Sequence, residues 1–198
     1  MKLGSLAVRG VVGPLFVGHG AQKLFGKFGG HGPEGTGQFF ETLGLKPGRR
    51  HATAAGWTEL AGGALLTLGA LTPLAASMIS GTMITAMRKA HLKNGPWVTD
   101  GGYEYNLVLV AAMTALADAG PGKPSVDAAL VPRLKGPAWA ALGLAAAGAA
   151  SALVTSGRLN EAAAPAPPEA CSPVAGDPVV AEEPRFTREP SGAPVTGA

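Results

Sequence analysis

Five apolar segments dominate this chain of 198 residues and limit what it can fold into. They run over residues 3–25, 52–71, 74–92, 103–119 and 137–155. A membrane-spanning helix needs about 20 mainly apolar residues, and fewer when it is tilted or sheltered by neighbouring helices. Each segment is apolar nearly all round, whereas a surface helix of a soluble protein carries a polar face. The pattern therefore predicts an all-α integral membrane protein.

The composition excludes several other classes of protein. Hydrophobic residues make up 46% of the chain and charged residues 15%, which is unusual for a soluble domain of this size. The net charge of +3 is spread along the chain, and no basic run interleaved with aromatic residues indicates nucleic-acid binding. Cys171 is the single cysteine, so an intrachain disulfide and a CxxC redox pair are both excluded.

The chain divides into three predicted regions. Residues 1–130 hold the first four segments and are expected to form a four-helix transmembrane bundle. Residues 131–156 contain the Ala-rich fifth segment, which is predicted to be a further C-terminal transmembrane helix. Alanine favours insertion less than leucine or isoleucine, which makes this segment the weakest of the predicted spans. Residues 157–198 are rich in Pro and Ala without periodicity, and they are expected to be a disordered tail.

Two connections carry local structural signals. In the first long loop, Phe39, Phe40 and Leu43 lie on one face of a short helix predicted to begin near Thr36 and to lie along the membrane interface. In the sequence GPGKPSVDAAL, Ser125 is a predicted helix cap.

Glu59 is a carboxylate inside the apolar sequence GWTELAGGALLTLGALTPLAA. An ionisable group within a membrane is costly unless it is paired or hydrated, so it is a candidate for function. His19 lies before the end of the first helix and Glu59 after the start of the second, and a rise of 1.5 Å per residue places them roughly 9 and 10 Å from the same membrane face. Gly56 and Gly63 flank Glu59 and would allow a neighbouring helix to approach closely.

The same topology brings further polar residues to this end of the predicted bundle. The candidates for ligand binding or proton relay are His19, Gln22, Lys23, Glu59, Arg88, His91, Glu104, Tyr105 and Asn106. Histidine exchanges protons near neutral pH, and a quinone head group needs hydrogen-bond donors at this depth. We assign no catalytic residue, because no nucleophile has a matching base, and we expect no metal site, because no metal-ligand spacing is present.

Each of these residues also has a purely structural interpretation. Glu59 can form an ion pair with Lys23 or Arg88 that only fixes the bundle. His19 can be a hydrogen-bonded packing residue, and Lys89 is expected to extend its side chain to the interface. Covalent cofactors are not expected.

Two further interpretations of polar residues concern haem ligation and anchoring at the membrane interface. Haem ligation by His19 and His91 is disfavoured, because nothing fixes their separation and no CxxCH motif is present. Arg9 lies toward the opposite end of the bundle, where we expect it to be an anchor near the interface.

The order and spacing of several motifs resemble the DoxX family of small bacterial membrane proteins. The motifs are RGVVGPLFVGHGAQKLFG, GWTELAGGALLTLGALTPLAA, MRKAHLKNGPW, GGYEYNLVL and GPGKPSVDAAL, and they cover residues 6–130. The resemblance implies a multi-pass protein of the inner (plasma) membrane, related to the quinone-reducing subunit of thiosulfate:quinone oxidoreductase. It also implies partners among redox and sulfur-transfer proteins and a role in oxidative stress. The Ala-rich helix and the tail depart from the family's four-helix pattern.

These observations lead to one main functional hypothesis and two alternatives. The main hypothesis is a membrane-embedded accessory or subunit of a redox, respiratory or oxidative-stress system, whose polar pocket binds a quinone-like head group or relays protons. Any enzymatic activity would then be that of a quinone-linked oxidoreductase subunit acting with partner proteins, in a complex or a homo-oligomer. The first alternative is a structural or assembly subunit without chemistry of its own. The second, a small-solute transporter, is disfavoured because no internal inverted repeat is visible.

Overall fold

The computed structural model describes residues 2–159, which form α-helices, a π-helical segment and short 3₁₀ turns, with no β-strand. The α-helices are α1 (Leu3–Phe25), α2 (Gly32–Thr42), α3 (Gly48–Leu68), α4 (Thr72–Ala86), α5 (Glu104–Ala119), α6 (Val126–Leu130) and α7 (Pro137–Thr155). The π-helical segment, Met87–His91, continues α4. The prediction of an all-helical protein is confirmed for these residues. Cys171 and the predicted disordered tail from residue 160 onward lie outside them.

The five long helices, α1, α3, α4, α5 and α7, share one core. Helix α1 packs on α3, α3 packs on α4, and α4 also contacts α5 and α7. The buried core takes Phe16 from α1, Leu66 from α3, Ile79 from α4, Met113 from α5 and Ala140 from α7. The Ala-rich helix therefore packs into the same core as the helices that precede it.

Glycines bring α1 and α3 into close contact. A Cβ atom at Gly20 would lie 2.6 Å from the backbone nitrogen of Leu60, and one at Gly63 would lie 2.6 Å from the carbonyl oxygen of Gly13. At Gly56, a Cβ atom would lie 2.7 Å from Cγ of Leu24. The small residues on both sides of Glu59 therefore allow α1 to approach, as the sequence predicts.

Most helix boundaries agree with the sequence, and the differences have local causes. Helix α2 begins at Gly32, before the predicted start near Thr36, because Pro33 occupies its first turn, where proline is well tolerated. Ser125 caps α6, as predicted: its hydroxyl accepts a hydrogen bond from the backbone nitrogen of Ala128 at 3.2 Å. The third predicted helix, residues 74–92, changes to π-helical geometry at Met87.

The prediction that Arg9 is an interface anchor is wrong. Its side chain is buried and donates hydrogen bonds to four backbone carbonyls, at distances of 2.8 to 3.1 Å. The acceptors are Leu66 and Thr67 at the end of α3, and Pro121 and Pro124 in the loop after α5. A guanidinium satisfies these carbonyls because it presents five donors in a rigid plane. Arg9 thus connects α1 to the end of α3 and to the loop after α5.

Asp127 holds the start of α4 at the same end of the helices. Its two carboxylate oxygens accept hydrogen bonds from the backbone nitrogens of Leu71 and Thr72, each at 2.7 Å. A carboxylate at a helix N-terminus satisfies backbone donors that have no partner within the helix, and it also interacts favourably with the helix dipole. This contact sets the tight turn between α3 and α4.

Among the described residues, α7 is the helix long and apolar enough to cross a membrane by length and composition. The sequence analysis ranks the Ala-rich segment as the weakest of the predicted membrane spans, and this finding reverses that ranking. The other long helices fall short for identifiable reasons. Helix α1 contains Arg9 and Lys23, α3 contains Glu59 and begins with charged residues, and α4 and α5 have 15 and 16 residues.

Candidate functional site

A buried ion pair connects α1 to α3 at one end of the helices. The Lys23 ammonium nitrogen, Nζ, donates to Oε2 of Glu59 at 2.6 Å. The side chain of Glu59 is 7% exposed and that of Lys23 is 21% exposed. Because the ammonium neutralises the carboxylate, Glu59 can remain charged away from water. Of the two candidate partners, Lys23 forms the pair; Arg88 forms no ion pair with Glu59 in residues 2–159 and its side chain is exposed.

His19 and Gln22, which we place next to Glu59 from the sequence, contact each other instead. The His19 ring nitrogen Nδ1 lies 3.1 Å from Oε1 of Gln22. Gln22 Nε2 donates to the backbone carbonyl of Phe28 at 3.1 Å, which fastens the turn after α1. Spacing of three residues puts these two side chains side by side on α1.

A cavity of about 750 Å³ opens beside the ion pair. Residues of α1, α2, α3, α4, α5 and α7 line it, and the lining surface is mainly apolar. Phe39 and Phe40 of α2, and Leu43 directly after it, contribute apolar side chains to the lining. The cavity volume falls within the range of small-molecule sites, which is about 300 to 1,000 Å³.

The predicted site residues divide into two groups around this cavity. Those that line it are His19, Lys23, Glu59, His91, Tyr105 and Asn106. Gln22, Arg88 and Glu104 do not. Glu104 instead begins α5, where its backbone nitrogen donates to the carbonyl of Pro96 at 2.8 Å.

The π-helical segment determines which residues at the end of α4 reach the cavity. A π-turn contains an extra residue, and it rotates the following side chains relative to a continuous α-helix. Lys89 and His91 line the cavity, whereas Arg88 faces outward. The His91 ring nitrogen Nδ1 lies 2.8 Å from the carbonyl oxygen of Gly101, which fixes the imidazole. Lys89 thus lines the cavity, and the extension of its side chain to the interface stays a prediction.

His51 and Ser151 are polar residues that the sequence analysis missed and that also line the cavity. His51 is two i+4 steps before Glu59 on α3, so helical spacing alone could have identified it. Ser151 on α7 is 1% exposed, and its hydroxyl oxygen has no hydrogen-bond partner among the described residues. Because Ser151 lies among alanines, the sequence around it does not indicate a polar site. A buried polar group without a partner is uncommon in proteins and indicates that something else satisfies it.

Asn106 is held by a weak contact. It is buried in the cavity wall, and its amide nitrogen Nδ2 donates to the sulfur of Met83 at 3.3 Å. A thioether sulfur is a weak acceptor, so a carbonyl oxygen in the cavity would be a stronger partner.

The described residues contain no group of three or more His, Cys, Asp or Glu side chains placed to hold a metal ion. The cavity presents hydrogen-bond donors, an ion pair and an apolar surface to a ligand.

Comparison with known proteins gives one match. The DoxX family model matches residues 4–92, from the start of α1 through the π-helical segment. No significant match was found among curated proteins or solved structures. The matched range holds Lys23, Glu59 and His91 but stops before α5 and α7, which supply Asn106 and Ser151. Residues 4–92 are thus similar to the DoxX family, which is a family of membrane proteins.

Proposed function

We propose that this protein is a multi-pass membrane protein that acts as an accessory or subunit of a redox system. Its larger cavity binds the head group of a quinone, which is a small amphipathic molecule with carbonyl oxygens. The observation that carries the proposal is the mainly apolar cavity with a buried ion pair and an unpartnered Ser151 hydroxyl in its wall.

The distribution of exposed apolar side chains supports insertion of several helices. Large hydrophobic residues face outward on α1, α4, α5 and α7, and they include Val11, Leu74, Val108 and Leu142. Exposed apolar side chains on every long helix of this group are unfavourable in water and favourable against lipid. This pattern supports membrane contact beyond α7, although the charges in α1 and α3 lower their mean hydropathy.

The donors in the cavity suit carbonyl oxygens. Lys23 uses one N–H for Glu59, and an ammonium has three donors, so others are left for a ligand. Asn106 can exchange its thioether partner for a carbonyl, and the Ser151 hydroxyl can donate from α7. The apolar remainder of the wall, which includes Phe40 and Met78, would contact a ring and an alkyl tail.

A bound quinone would supply the capacity to accept electrons and protons. The chain itself would orient the ring, exclude water and offer proton donors. His19 and His91 line the cavity, and imidazoles exchange protons near neutral pH. The electron donor would come from a partner protein.

A structural role is the second candidate, and the closed Lys23–Glu59 pair favours it. The pair is neutral overall and joins two helices that pack closely through glycines. In that case the pair would stabilise the packing of α1 on α3, and the cavity would hold lipid chains without selectivity.

Binding of a benzoquinone with a decyl tail to the full-length protein in lipid nanodiscs tests the two candidates. The ligand-binding proposal predicts saturable binding with one site per chain, weakened by Ser151→Ala. The structural candidate predicts that Glu59→Gln lowers the unfolding temperature while the quinone binds no better than decane. Absence of saturable binding to the wild-type protein would refute the ligand proposal.

A further inference from the structure

A second, basic cavity lies at the opposite end of the helices from the Lys23–Glu59 pair. It has a volume of about 310 Å³ and is formed by the start of α1, the end of α5 and the loop that leads to α7. Lys2, Lys123 and Lys135 line it, together with a single carboxylate, Asp127. The DoxX match stops before this loop, so the family assignment does not account for the cavity.

Two glycines shape the basic cavity. Gly120 and Gly122 both have positive φ angles, of 81° and 72°, which L side chains rarely adopt. A Cβ atom at Gly120 would lie 2.7 Å from Cδ of Lys135, and one at Gly122 would lie 3.1 Å from Cβ of Lys2. The absence of side chains at these positions lets the lysine stems lie directly on the loop backbone. The stems of Lys2 and Lys135 are therefore packed against the loop at the edge of the cavity.

The charges around the basic cavity are not balanced. Both oxygens of Asp127 already accept hydrogen bonds from the backbone nitrogens of Leu71 and Thr72. Lys123 and Lys135 form no ion pair within residues 2–159. Lys2 donates to the backbone carbonyl of Ala119, and an ammonium keeps further donors after one such contact. Three lysines and one engaged carboxylate leave an excess of positive charge facing the cavity.

Apolar residues next to this cavity are exposed. Leu3 follows Lys2 in the chain and is 73% exposed, and Leu130, next to the lining residue Val131, is 74% exposed. In a membrane protein, the end of a helical bundle meets the lipid head groups, and exposed leucines there contact acyl chains. The site thus combines a concave basic centre with an apolar rim.

We infer that this cavity binds the phosphate of an anionic phospholipid, with Lys2, Lys123 and Lys135 around the phosphate and Leu3 and Leu130 against the acyl chains. Lysine is a compact point charge that suits phosphate, and basic pockets between membrane helices hold anionic head groups. The inference is independent of quinone binding, because the two cavities share no lining residue.

Native mass spectrometry of the full-length protein in neutral detergent tests this inference. The probes are phosphatidylglycerol and phosphatidylcholine with identical acyl chains. We expect the anionic lipid to bind more tightly, and the double variant Lys123→Gln/Lys135→Gln to weaken it about fivefold for each lysine removed. The matched control, Lys27→Gln/Lys93→Gln, removes two exposed lysines at the other end and should leave the affinity unchanged.

Several results would overturn the inference. Equal binding of the two lipids would do so, as would equal weakening by the two double variants. Glycerol 3-phosphate serves as the soluble source of the same phosphate group; if it displaces the lipid at equal concentration, the site is one for a soluble phosphate. If the double variant unfolds during purification, Lys123→Gln alone is the informative variant, because that side chain is exposed. An unchanged affinity in that variant would contradict the lysine assignment.

Discussion

Lys23 on α1 donates to Glu59 on α3 at 2.6 Å, and both residues line the larger cavity. One contact therefore joins two helices and also places a charged group in the wall of the candidate site. A role in packing and a role in ligand binding predict different behaviour when either residue is changed, and the structure offers variants that separate the two.

Loss of one partner of the ion pair should destabilise the protein. Lys23→Met leaves Glu59 buried without a counter-charge, and we expect a loss of about 3 kcal/mol in the free energy of unfolding. The double variant Lys23→Met/Glu59→Leu removes both charges and should recover most of this loss. Unfolding of the purified protein in mixed micelles measures the four members of the cycle. Additive losses would show that the two residues do not interact energetically.

Close packing of α1 on α3 can be tested with two glycines of the same helix. Gly20→Ala places a Cβ atom 2.6 Å from the Leu60 backbone nitrogen, and we expect it to destabilise the protein by about 1 to 3 kcal/mol. Gly18→Ala meets no atom within 4 Å and should be neutral or stabilise by about 0.5 kcal/mol through helix propensity. The difference between their unfolding temperatures is the measurement. Equal effects would contradict the glycine contact.

The Ser151 hydroxyl should contribute to ligand binding and not to the stability of the ligand-free protein. Ser151→Ala removes a buried group without a partner, so the stability of the ligand-free protein should stay the same or rise. Thr72→Val is the matched control, because Thr72 also has a buried hydroxyl without a partner but does not line the larger cavity. We expect Ser151→Ala to weaken quinone binding about fivefold, corresponding to one hydrogen bond. Thr72→Val should leave the dissociation constant unchanged, and a similar effect of both variants would argue against a contact between Ser151 and the ligand.

Substitution of Arg9 should destabilise the protein more than most other single substitutions. Arg9→Met removes four hydrogen bonds to backbone carbonyls, of which that of Leu66 keeps a second donor, the backbone nitrogen of Gly69. We expect a loss of more than about 3 kcal/mol in the free energy of unfolding. Arg9→Lys should recover less than half, because an ammonium cannot reproduce the planar set of donors. Arg49→Met, which removes an exposed ion pair with Glu34, should change stability by less than about 1 kcal/mol. Full recovery by lysine would contradict the geometry assigned to Arg9.

The sequence was most informative where helical geometry alone fixes position. The ranges of the first and last long helices follow from apolar runs, and the Ser125 cap follows from capping chemistry. A constant rise per residue places Lys23 at the same end of the helices as Glu59, with which it pairs. Side-chain partners were harder to predict. The Gln22 side chain donates to the turn after α1, and Arg88 lies in a π-helical segment and faces outward, so neither contact could be predicted from regular α-helical spacing.

Long-range contacts explain the remaining differences. The acceptors of Arg9 come from the end of α3 and from the loop after α5, which are distant from Arg9 in the sequence, and no local sequence pattern predicts backbone carbonyls as its partners. Ser151 lies in a run of alanines, and its place in the cavity depends on the packing of α7 against α4.

Photo-crosslinking of a quinone probe to the reconstituted protein tests the central proposal most directly. The probe carries a diazirine on its ring, and peptide mass spectrometry locates the crosslinks. We predict crosslinks to residues 77–86 of α4 and 146–154 of α7, reduced by an excess of unmodified quinone and by Ser151→Ala but not by Thr72→Val. Crosslinks confined to the outward face of the helices, with no competition by the unmodified quinone, would contradict a quinone site in the cavity.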